Sequence, residues 1–103
     1  MTTFDEREKG FERKFALDEE QKFRAVARRN RLLGEWAAAK LGKTGEDVTA
    51  YAKEVVASDF AEAGHEDVFQ KVRGDLPASV SDDEIRAAMD QFLAQAALEV
   101  KAS

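Results

Sequence analysis

KFRAVARRNRLLGEWAAAKLG, residues 22–42, decides the fold. Phe23, Val26, Ala27, Leu33, Ala37 and Leu41 recur at helical spacing and form one apolar face. Ahead of the stretch, Asp18 is placed to cap backbone N–H groups, and Gln21 three residues on completes a capping box. Gly42 supplies a left-handed stop. Two residues interrupt the apolar face. Asn30 needs a hydrogen-bond partner if it is buried there. Gly34 weakens the helix by about 1 kcal/mol relative to alanine, so we read it as a point where a second helix comes close. Leu32 and Trp36 lie off the centre of the face. That placement suits a helix touching two neighbours, and both are expected to pack in the core.

Three more helices follow. One is expected after Thr44, with Asp47 as an aspartate form of the capping box. Its inner face is Val48, Tyr51, Ala52, Val55 and Val56, with Phe60 near its end and Gly64 as its stop. A short helix from His65 to Arg73 turns Val68, Phe69 and Val72 inward. Gly74, Pro77 and Ser79 mark a loop. Ser81 and Glu84 form a full capping box for the last helix, whose inner residues are Ile85, Ala88, Met89, Phe92, Leu93, Ala96 and Val100. The chain has one proline and six glycines in 103 residues, and no stretch of alternating polarity long enough for a strand. The expected fold is all-α, a four-helix bundle over residues 18–103 with a flexible arm before it.

That arm, residues 1–17, has a logic of its own. Phe4, Phe11 and Phe15 stand among charged residues and, if helical, fall within about 40° of one another. On one straight helix they would sit about 60–100° away from the centre of the Phe23–Leu41 face. The run Asp18-Glu19-Glu20-Gln21-Lys22 separates the two apolar sets, and Thr3 with Glu6 offers a separate cap. Isolated helices of ~12–15 residues are marginal in water, and Gly10 weakens this one further. The segment is expected to be largely disordered and to fold as an amphipathic helix in a groove. The simpler alternative is that its rings pack onto the bundle.

Charge and composition exclude several chemistries. The net charge is -5, with +2 on residues 1–31 and -7 on residues 32–103, which argues against general nucleic-acid binding. There is no cysteine and one histidine, so thiolate metal sites and Cys–His or zinc-hydrolase centres are hard to build. His65 is expected at a helix end in a solvated acidic patch, and no metal site is expected. No apolar run is long enough to cross a membrane, the polar start lacks a signal peptide's apolar core, and the expected address is cytoplasmic. AAAKLGKTG has Ala37 where a phosphate-binding loop needs glycine, and its lead-in is helix. Of the basic run ARRNR, Arg24, Arg28 and Arg31 share a helical face. Glu20 can pair with Arg24, so a salt-bridged, solvated face is favoured for part of it over a site for phosphate or an acidic partner.

With these residues in view, the chain resembles the zeta subunit of alpha-proteobacterial F-type ATP synthases, a family of ATPase inhibitors. The likeness runs through FDEREKGFERKFALDEE, KFRAVARRNRLLGEWAAAKLG and AYAKEVVASDF, and is most specific at ARRN, LLG and WAA. It implies a non-enzymatic inhibitor, monomeric when free and attached peripherally to the membrane through the ATP synthase. Its N-terminal arm would enter the catalytic head at the alpha, beta and gamma subunits and block the rotation that hydrolyses ATP. The arm positions that match are Phe4, Asp5, Arg7, Glu8, Lys9, Phe11, Glu12, Lys14 and Phe15. Gly10 stands where the resemblance leads one to expect alanine. The likeness also implies weak ATP or ADP binding on the bundle, which no motif here locates. The rival reading is a small helical regulator that binds adenine nucleotide, or an adaptor bundle.

Overall fold

The computed structural model describes residues 15–59 and 65–102. Four helices occupy them: α1 (Glu19–Lys40), α2 (Glu46–Ala57), α3 (His65–Asp75) and α4 (Asp82–Ala102). Ion pairs and hydrogen bonds between them fix the directions. Arg28 and Lys40 of α1 reach Glu99 and Glu84 of α4, so these two helices are antiparallel. Lys71 reaches Glu54, and the Tyr51 hydroxyl donates to Asp75 at 2.9 Å, which makes α2 and α3 antiparallel too. The result is an up-down-up-down four-helix bundle, as the apolar pattern predicts.

The helix ends follow local chemistry. Asp18 caps α1 with its carboxylate on the Gln21 N–H at 2.7 Å, and the Gln21 side chain accepts from the Asp18 N–H at 3.2 Å. Gly42 takes the left-handed conformation expected of a stop, φ 77°. At α4, Ser81 Oγ accepts from the Glu84 N–H at 3.1 Å. The start of α2 differs from expectation. Its N-cap is Gly45 and not Thr44, and no side chain caps it. Gly45 has φ 59°, a turn that favours glycine, and Thr44 contributes only its carbonyl, to the Asp47 N–H. The α3 helix runs through Gly74 to Asp75, two residues past the expected end. Arg73 then holds the α3–α4 connection, donating to the carbonyls of Leu76, Pro77 and Val80 and to Asp82.

The core joins Leu33, Ala37 and Ala38 of α1 with Tyr51 and Val55 of α2, Val68, Phe69 and Val72 of α3, and Ile85, Ala88 and Met89 of α4. Burying a large apolar side chain contributes about 1.5–3 kcal/mol, so this cluster is the main source of stability. Trp36 packs against it partly buried, as expected for a residue off the main face. Two expected inward residues do not face the core. Val56 is 39% exposed and Phe23 is 78% exposed. Phe60 and Gly64 lie outside the described residues, as do all arm residues before Phe15.

Gly34 is the close approach its position suggests. A Cβ built there would lie 2.6 Å from the Ala52 Cα and 3.3 Å from the Val55 Cβ. The nearest obstacle is backbone, which has no rotamer to move into. Gly34→Ala adds about 1 kcal/mol of helix propensity but forces α1 and α2 apart, and overpacking typically costs about 1–3 kcal/mol. We expect a net loss of up to about 2 kcal/mol, seen in urea unfolding as a lower midpoint with an unchanged slope.

Candidate functional site

Of the nine arm positions singled out in the sequence, Phe4, Asp5, Arg7, Glu8, Lys9, Phe11, Glu12 and Lys14 lie outside the described residues. Phe15 is described. It is helical and half-buried, and the chain changes course immediately after it. Ala16 has φ 50°, the left-handed region, which costs an L-residue about 1–2 kcal/mol. Asp18 is extended at ψ 175° and opens α1 with its own cap. One straight helix through Phe15 and Glu19 is therefore impossible. The turn at Ala16–Asp18 separates Phe15 from α1, as the interrupted apolar pattern leads one to expect.

The first turns of α1 project past the end of α2. Ala52 and Val55 lie against Gly34, and Asp59, two residues past α2, bonds Asn30. Phe23, two helical turns before Asn30, has no α2 residue level with it. This is why Phe23 stays exposed although it sits on the apolar side of α1. The helical period gives the direction of a side chain, and the length of the neighbouring helix decides whether that direction is covered.

The basic run divides in two. Arg24 pairs with Glu20 at 2.8 Å, Arg28 with Glu99 at 2.7 Å and Arg31 with Glu35 at 3.5 Å. Arg28, followed by Gln95, holds the Glu99 carboxyl below its usual pKa by hydrogen bonding. Each of these three guanidiniums is matched by an acid, which fits the salt-bridged face and leaves no uncompensated cluster among them for phosphate. Arg29 departs from the sequence reading. It is 1% exposed and lies within the bundle.

Arg29 belongs to a buried polar cluster that closes the Asn30 question. Its Nε donates to Asn30 Oδ1 at 2.6 Å, and Asn30 Nδ2 donates to Asp59 Oδ2 at 3.2 Å. Arg29 Nη2 lies 2.7 Å from Nδ1 of His65. The histidine is at a helix start, as expected, but it is 2% exposed, and the solvated acidic setting expected for it is not found. Arg29 lies four residues after Ala25 and four before Leu33, both fully buried. That spacing, together with an asparagine on the apolar face, was the available signal for a buried arginine. The cluster ties the ends of α2 and α3 to the middle of α1, just beside the exposed turns.

Guanidinium has donors only, so His65 Nδ1 must accept and its ring is the neutral form with hydrogen on Nε2. Ring ¹⁵N shifts should show that tautomer at neutral pH. Asn30→Ala removes the link between Arg29 and Asp59 and should cost about 1–3 kcal/mol in urea unfolding.

Among the described residues, no helix is long and apolar enough to cross a membrane. A family model described as ATPase inhibitor subunit zeta matches residues 1–99. No curated protein matches the chain.

Proposed function

The chain belongs to the ATPase inhibitor subunit zeta family, and from that membership we propose that it inhibits an F-type ATP synthase through its N-terminal segment. The observation that carries this reading is the extent of the match. It begins at residue 1, so the segment from Phe4 to Phe15 lies within the length the family shares. The break at Ala16 supports it, since an element with its own course can move into a groove without unravelling α1.

The mechanism follows from the segment's chemistry. In a helix, Phe4, Phe11 and Phe15 would share one side, and Asp5, Arg7, Glu8, Lys9, Glu12 and Lys14 would supply charges around them. Such a helix fits an apolar groove with a charged rim, as at the junction of the alpha, beta and gamma subunits. Wedged there, it would oppose rotation in the hydrolytic direction. The chain performs no chemistry of its own in this scheme. It works from the cytoplasmic side, and it meets the membrane only through the enzyme. Ordering the segment costs free energy, so a folded bundle that docks alongside would help to hold it in place.

A chain lacking residues 1–17 keeps the Asp18 cap and every core residue. It should retain its helical circular dichroism and cooperative unfolding, and should lose inhibition of ATP hydrolysis by the cognate enzyme. Equal inhibition by the truncated chain would sink this assignment.

A further inference from the structure

His65 is the chain's only histidine, and the bundle buries it against a cation. Its Nδ1 accepts from Arg29 Nη2 at 2.7 Å, and both side chains are almost fully buried. This contact has no part in the inhibition proposed above. An ordinary histidine changes charge between about pH 5 and 8, but the contact suits only the neutral ring. A second ring proton must go to Nδ1, the atom that holds the guanidinium. It would turn an acceptor into a donor facing a donor. It would also set two positive charges together where water screens them poorly.

The other charged groups about the ring, among the described residues, act from further off or are engaged. From α1, Lys22 lies two turns before Arg29 on the same side. At the end of α2, the Asp59 carboxylate accepts from Asn30 Nδ2 at 3.2 Å. On α3, Glu66 and Asp67 are exposed, and Glu66 is paired with Arg86 of α4 at 3.3 Å. Asp90, one turn beyond Arg86 on α4, is exposed as well. Water screens the exposed carboxylates, whereas Arg29 touches the ring.

We infer that the Arg29–His65 contact is a proton-sensitive latch: the neutral ring holds the start of α3 to α1, and protonation of the ring releases it. Release leaves α3 held from Val68 onward, where its core residues begin. In the open or unfolded chain the ring takes up a proton near pH 6.5, while the closed form resists it. Stability is therefore complete above about pH 6.5 and is lost as the pH falls below it. With no cysteine and one histidine, no other side chain of this sequence ordinarily titrates between about pH 5 and 7.

Urea unfolding of the full chain at about pH 7.5 and 5.5 reads the latch. The folding equilibrium constant should fall by up to about tenfold between them. In His65→Gln the amide oxygen can accept from Arg29 but does not titrate, so the change should stay under about twofold. A loss under about twofold in the unmutated chain, or an equal loss in His65→Gln, would overturn the latch. Should His65→Gln not fold, ring ¹⁵N shifts of the unmutated chain decide alone. At about pH 6 the folded chain should keep the neutral tautomer with hydrogen on Nε2, below the ordinary histidine midpoint. A ring mostly protonated at that pH in the folded bundle would overturn the inference.

Discussion

The contact of Gly34 with Ala52 sets the spacing on which the bundle depends. Without a side chain at position 34, α1 and α2 meet backbone to backbone. That approach carries Val55 into the core beside Leu33 and brings Asp59 within reach of Asn30. It also aims Tyr51 so that its hydroxyl reaches Asp75 while its ring packs inside. The phenol is correspondingly hard to ionise, first because it is buried and then because of the Asp75 hydrogen bond. A wider gap would strand polar groups as well as open voids. One glycine therefore governs both the apolar and the polar half of the α1–α2–α3 junction.

The polar half has a different role from the apolar half. Leu33, Ile85 and Met89 would pack against many neighbours of the right size, since cores tolerate volume-conserving exchange. Arg29, Asn30 and His65 accept far fewer arrangements, because every donor must meet an acceptor in a fixed geometry. Their cluster sets the start of α3 against α1, following a five-residue interval that begins just after Asp59. It lies next to the turns of α1 that extend past the end of α2, so the last covered turn of α1 is held by polar contacts as well as apolar ones.

How much of this was legible in the sequence follows from which physical rule governs each residue. Capping is local, and the Asp18–Gln21 box and the Ser81 cap could be read directly. Gly34 was legible because a glycine on an apolar helical face has few other uses. The inner faces of α3 and α4 followed from periodicity. Phe23 was misread because a helical wheel takes no account of where the neighbouring helix ends. Arg29 was placed by composition within a basic run, and His65 by its acidic neighbours in sequence. Both are buried by partners from other helices, which local sequence does not display. Thr44 was read as the cap because it is a good capping residue, but the positive φ of Gly45 starts the helix one residue later.

The exposed Phe23 marks where the cover of α1 by α2 ends. A lone exposed apolar side chain needs no explanation. Leu98 is such a case, since it faces away from the inner residues of α4. Phe23 differs in kind. It continues the apolar side of α1 beyond the last turn of α2, so its exposure follows from the length of a neighbour and not from the direction of its own side chain.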